Sequence, residues 1–269
     1  MNELIELVET TDPFARRFGG LTRLYGASGA KAVARSHVIV VGIGGVGSWA
    51  VECLARSGVG TLTLIDLDHI SESNVNRQIH ALSETLGMSK VLAMKSRVEQ
   101  INPQCKVNCI DDFLTPENWP QLLGSIDQPS VSALIDACDQ VRSKVTVTAW
   151  AAQRMAANPN FHFITVGAAG GKRLAHKVDI LDLSKATHDP LLAQVRHKLR
   201  KEHGFPKDGK KMGIQCVFSE ETVKMPDQNF PDVSDGSLNC HGYGSCVSVT
   251  STFGQCAAGW ICDQLAGHT

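Results

Sequence analysis

At 269 residues, with a formal net charge of -1, 43% hydrophobic and 20% charged residues, the chain has the composition of an ordinary globular enzyme and not of a disordered or fibrous one. The opening MNELIELVETTDPFARRF places four acids before its first arginine and holds no long apolar run, which excludes a secretory or transit peptide and predicts a cytoplasmic protein. Nine cysteines without a CxxC pair predict reduced thiols and no structural zinc, whose ligands usually come as closely spaced pairs.

Helices are predicted at residues 3–9 and 14–34, followed by a β-branched strand, His37–Val41. A glycine-rich turn leads into a helix from about Val46 to Ser57, then a strand at Thr61–Asp66 and a helix from Lys90 to Ile101, stopped by Asn102-Pro103. Strands follow at Lys106–Ile110, Ala133–Asp136 and Phe161–Gly167, with a helix near Arg142–Ala157. This alternation predicts an α/β chain: a Rossmann-like, doubly wound sheet with helices on both faces and a C-terminal extension. The division falls after Gly171, giving a core with N-terminal helices over 1–171 and, over 172–269, a basic segment and extension packed on the same domain. Lys172 to Lys211 carries eleven Lys and Arg against five acids, a local balance of +6, which suits a polyanion; an amphipathic helix, LLAQVRHKLRK, with a merely solvated basic face is the plainer reading. Tyr243 to Ile261 is broken by Gly, Gln, Ser and Thr, so it reads as a buried helix and not a membrane span, with peripheral membrane contact left open.

Chemistry concentrates between the first and fourth strands. VGIGGVG, with Gly42, Gly44, Gly45 and Gly47, sits between a strand and a helix, where backbone N–H groups and the helix N-terminus can face phosphates. Asp66 ends the second strand, 24 residues after Gly42, where an acid can accept from ribose hydroxyls. A NAD-dependent redox enzyme would satisfy both features. Asn74, Arg77 and Lys90, at offsets 8, 11 and 24 from Asp66, favour ATP instead, because transferring AMP needs cations around a triphosphate. In LIDACDQVRSK, Asp136 and Asp139 reach the carboxyl edge of the sheet; Asp139 suits Mg²⁺, or merely caps the next helix.

These residues resemble the ubiquitin-activating-enzyme (ThiF/MoeB-like) superfamily of adenylyltransferases: GxGGxG at Gly42–Gly47, DxDxxxxSNxxRQ from Asp66 and Asp68 to Gln78, GxxK at Gly87–Lys90, and Asp139. The resemblance implies that Asp66, Asp68 and Asn74 position the nucleotide, that Arg77 and Lys90 contact its phosphates, and that Asp139 holds Mg²⁺. Downstream, TVGAAGGK, DILDLSKATHDPLLAQVRHKLRK and IQCVFSEE resemble the bacterial tRNA threonylcarbamoyladenosine dehydratase family. That family activates the carboxylate of N6-threonylcarbamoyladenosine, next to the anticodon of tRNA, as an adenylate that cyclises with loss of AMP. The alternative is activation of the C-terminal Gly-Gly of a sulfur-carrier or ubiquitin-like protein, against which the missing CxxC pairs count.

The resemblance further implies a homodimer in which an N-terminal arginine acts in trans. The usual RFxR is here RFGG, keeping Arg17 and placing Gly20 at the second arginine, with Arg23 one helical turn on. Candidate tRNA contacts are Lys172, Arg173, Arg196, Lys198, Arg200 and Lys201. A sulfur-acceptor protein working with a cysteine desulfurase is a further compatible partner. Cys216 and Cys240, beside His241, fall in expected loops and are read as packing residues, not nucleophiles.

Overall fold

The computed structural model describes residues 13–126, 130–207, 209–224 and 243–267. The expected helix at 3–9 and the Cys240–His241 pair lie outside them. Helix α1 (Pro13–Arg35), bent where Gly26 leaves helical geometry, leads to β1 (His37–Val41), α2 (Gly47–Arg56), β2 (Thr61–Ile65), α3 (Lys90–Ile101) and β3 (Lys106–Ile110). Then come α4 (Trp119–Gly124), β4 (Ala133–Asp136), α5 (Val141–Ala157) and β5 (His162–Val166). The chain continues through β6 (Val178–Asp182), α6 (Pro190–Glu202), β7 (Gln215–Ser219) and α7 (Val247–Ala266).

The seven strands form one sheet in the order β3-β2-β1-β4-β5-β7-β6. The described pairings are parallel except β6 with β7. Chain direction explains the run HVIVV: a parallel strand covered on both faces has no solvent side and is apolar at successive positions. Val38 and Val40 join one core with α2, α3 and α7; Ile39 and Val41 join the other with α4, α5 and α6. The edge strand β6 is only partly buried and mixes Asp179 and Asp182 with its aliphatic residues, which hides it in a charged stretch of sequence.

Helix α7 lies directly on α2. A side chain at Gly254 would stand 2.8 Å from the backbone nitrogen of Ala50 and 2.9 Å from Trp49 Cβ, so this contact requires glycine. No helix among the described residues is long and apolar enough to cross a membrane. Between β1 and β4 the strand order reverses, opening a crevice at their carboxyl ends, the place where open α/β sheets bind ligands.

Candidate nucleotide site

The turn after β1 begins this crevice. Gly42 has a φ of 82°, and a Cβ there would lie 2.8 Å from both the carbonyl oxygen of Ala137 and the nitrogen of Cys138, so only glycine lets the β1 and β4 turns touch. No side chain caps the N-terminus of α2, leaving its first N–H groups facing the turn. Gly45 faces the methylene stem of Arg77, 3.4 Å from an added Cβ, and Gly44 faces the Gln78 amide at 4.0 Å. Gly47 packs against the Gly42 carbonyl.

Asp66, just past β2, ties the turn to the neighbouring strand. Its carboxylate accepts from Ile43 N at 2.6 Å and from Asp68 N at 2.8 Å, and each oxygen keeps lone-pair capacity for a ligand hydroxyl. Burial raises its pKa, while Lys90 and the two N–H donors oppose that rise.

Asp68 receives Lys90 Nζ at 2.6 Å, and the lysine side chain is 4% exposed. The charge is thus held on a short leash at the start of α3, with Asp68 on its open side. Asp139, past β4, is within electrostatic reach of the pair: burial raises its pKa first, with Lys144 and Lys90 opposing the rise and Asp68 adding to it. Asn74 is buried and accepts from Ser71 N at 3.1 Å. Arg77 donates to Ser73 O at 2.6 Å and Asn76 Oδ1 at 2.8 Å. Its own carbonyl accepts from Trp49 Nε1 at 2.9 Å and Thr250 Oγ1 at 3.4 Å, so α2 and α7 both brace it.

Sequence reasoning missed what lies beneath. Lys144 of α5 is fully buried and donates to Asp136 Oδ2 and Thr165 Oγ1, each at 3.0 Å, and to Asp136 O at 3.1 Å. Asp136, placed by sequence at the ligand-facing rim, is 0% exposed and therefore a support. His80 is also buried, neither ring nitrogen having a hydrogen-bond partner; burial, reinforced by Lys90 and Arg97, lowers its pKa to about 3. No spacing rule announces either residue, because both roles arise from tertiary burial.

Other sequence candidates are placed differently. Arg17 donates to the carbonyls of Gln100 at 3.2 Å and Ile101 at 2.8 Å, capping the far end of α3 from Lys90, so within its own chain it does not join the crevice. Lys172 is a correction: at 1% exposed, with Nζ 3.2 Å from Ser219 O and 3.9 Å from Asp189 Oδ2, it cannot serve as a surface phosphate contact. Arg196 turns inward to the carbonyls of Leu183 and Ala186, and Arg200 to that of Pro206. Arg173 and Lys201 stay exposed, and Lys198 lies 4.0 Å from Glu202. Cys216 is in β7 and not a loop; buried, its thiol is raised to about 12 and bonds Leu181 O at 3.3 Å.

The ThiF family model matches residues 17–174. The chain is 41% identical to a tRNA threonylcarbamoyladenosine dehydratase of Haemophilus influenzae, over 97% of each protein. Identity to the Escherichia coli protein of the same name is 40%, over 92% of each. The crystal structure of E. coli tRNA N6-threonylcarbamoyladenosine dehydratase, TcdA, in complex with ATP superposes with a TM-score of 0.83 at 38% identity, covering 96% of both chains. Matched over more than half its length by one family model and over nearly all of it by these relatives, the chain belongs to the ThiF family and, within it, to the tRNA threonylcarbamoyladenosine dehydratases.

Proposed function

We propose that the chain uses ATP to adenylate the threonyl carboxylate of N6-threonylcarbamoyladenosine next to the anticodon of tRNA, and that the adenylate then cyclises. The observation that carries this reading is the gathering of Asp66, Asp68, Lys90 and Asp139 with the Gly42–Gly47 turn at the switch point.

In this reading the turn and the N-terminus of α2 receive the phosphates, and Asp66 accepts from the ribose. The substrate carboxylate attacks the α-phosphorus and the bond to pyrophosphate breaks; Lys90 and Arg77 stabilise the charge that leaves. A carbamoyl atom of the same nucleoside then attacks the acyl carbon, loses its proton, and AMP departs with the former carboxylate oxygen. Held on one nucleoside, the two groups react without a bimolecular encounter, an advantage worth on the order of 7–11 kcal/mol in well-oriented systems. The chain needs no nucleophile of its own, in keeping with the raised thiol pKa values of Cys105, Cys216 and Cys262, each about 12.

Mg²⁺ fits the donor set. It takes oxygen ligands from one or two carboxylates plus phosphates, and Asp139 and Asp68 are carboxylates within electrostatic reach of each other. Asp139 would hold the ion, which when bound neutralises triphosphate charge.

The exposed part of the basic segment supports tRNA contact: Arg173, Lys177, Lys185, Lys201, Lys207, Lys210 and Lys211 face solvent. In this division, residues 1–171 activate, and within 172–269 the basic segment Lys172–Lys211 contacts the nucleic acid. We further propose a cytoplasmic homodimer in which Arg17 or Arg23, both exposed, serves the partner's site.

The test is to supply ATP, Mg²⁺ and tRNA bearing threonylcarbamoyladenosine, following AMP and the mass of the nucleoside. Loss of one water per AMP is expected. AMP without that mass change would overturn the tRNA reading and leave an adenylyltransferase with another carboxylate substrate.

A further inference from the structure

The buried trio below the crevice has no place in the steps above, yet it is densely hydrogen-bonded. Lys144 and Asp136 are both 0% exposed, and each is saturated by the other and by Thr165. Thr165 Oγ1 stands 2.8 Å from Asp136 Oδ2, and the remaining oxygen, Oδ1, accepts from Cys138 Sγ at 3.0 Å and from Cys138 N at 3.3 Å.

Cys138 is the residue immediately before Asp139. Three elements therefore converge on one turn: β4 through Asp136, α5 through Lys144 and β5 through Thr165. The same turn touches Gly42, whose missing Cβ leaves room for Ala137 O and Cys138 N. A buried ion pair is weak evidence for stability, since apolar residues of similar volume often do as well or better. Its geometry can instead serve placement, because a fully bonded polar network admits few alternative arrangements.

We infer that Lys144, with Asp136 and Thr165, is a positioning residue that fixes the Ala137–Cys138 turn and so aims Asp139 at the metal-nucleotide complex. The inference rests on the reading that Asp139 holds Mg²⁺, and the experiment separates the two.

The full chain carrying Asp136→Leu with Lys144→Met removes both charges together and keeps an apolar core, which avoids stranding one ion. ATP binding is measured by calorimetry with EDTA and across a Mg²⁺ series, beside Asp139→Asn. The double variant is expected to unfold at or above the parent temperature, to bind metal-free ATP as the parent does, and to need at least about tenfold more Mg²⁺ for half-maximal enhancement of binding. A folded double variant with the parent's Mg²⁺ response, alongside a shifted Asp139→Asn, overturns the positioning role alone. If Asp139→Asn also leaves the response unmoved, the metal reading fails and the inference falls with it. Should the double variant not fold, Thr165→Val, which keeps the ion pair and removes one anchor, is measured the same way: a rise of about threefold supports the role, and no change overturns it.

Discussion

The crevice and the basic segment are both rich in cations, but the fold uses them in opposite ways. At the crevice, Lys90 is buried along its stem and paired to a carboxylate on its open side, and Arg77 is braced by α2 and α7. In the basic segment, the residues that look most concentrated in sequence are divided between two jobs. Lys172 fastens its loop to β7, and Arg196 and Arg200 tie the loops flanking α6 to that helix, all through backbone carbonyls, while Arg173, Lys201, Lys210 and Lys211 remain at the surface. A count of +6 therefore overstates the field available to a polyanion. Local charge predicts an interface only after the side chains spent on the fold are set aside.

The largest effect is expected where a cation meets the reacting phosphates. Lys90→Ala should lower AMP formation on the order of 100- to 1000-fold, the usual loss for one preorganised electrostatic donor. A loss below fivefold in a steady-state assay would mean that the crevice cations are as structural as those of the basic segment.

The second expectation concerns His80, the neutral group on the crevice side. Its pKa falls from 6.5 unfolded to about 3 folded, so the unfolded chain binds the extra proton between those values. Its stability contribution is complete above about pH 6.5 and is lost as pH falls toward 3. Between pH 8 and pH 5 the loss is about 2 kcal/mol, and His80→Leu should flatten that part of a urea-denaturation profile. An unchanged profile would show that His80 is not held neutral by its burial.

Third, Arg196→Ala should destabilise by about 1–2 kcal/mol, because the carbonyls of Leu183 and Ala186 lose a donor, without altering the affinity of the folded protein for tRNA. Smallest is the combined Lys201→Glu, Lys210→Glu and Lys211→Glu change. It should weaken tRNA binding by about tenfold near 0.1 M salt and flatten its salt dependence, while leaving stability within about 0.5 kcal/mol. If Arg196→Ala weakened binding and the triple change did not, the division between anchored and free cations would be reversed.

Much of the fold was legible from local chemistry. Val38–Val41 and Ala133–Ile135 are uninterrupted apolar runs because both faces of their strands are covered, and Asn102-Pro103 marks the stop of α3. Strands β6 and β7 and the short α4 were not read. VDILD carries acids at a sheet edge, QCVFS is a five-residue run, and WPQLLG has a proline in its first turn. At the site, the glycines, Asp66, Asn74, Arg77, Lys90 and Asp139 stood out by spacing. Lys144 and His80 did not, since a lysine in a helix and a histidine after a loop look ordinary until the sheet closes over them. Lys172 misled for the same reason: its charge was visible and its burial was not.

The contact of α7 with α2 also orders events in time. At about 5–20 residues per second of synthesis, α2 emerges roughly 10–40 s before α7 is finished, and until then the face carrying Val38, Val40 and Leu54 lacks the cover that Phe253, Ala257 and Ile261 provide. Thr250, which steadies the Arg77 carbonyl, arrives with the same helix. The nascent chain thus carries its glycine turn early but completes the brace behind it only once α7 has followed, so a partly made copy spends that interval with a sticky surface and an unfinished crevice.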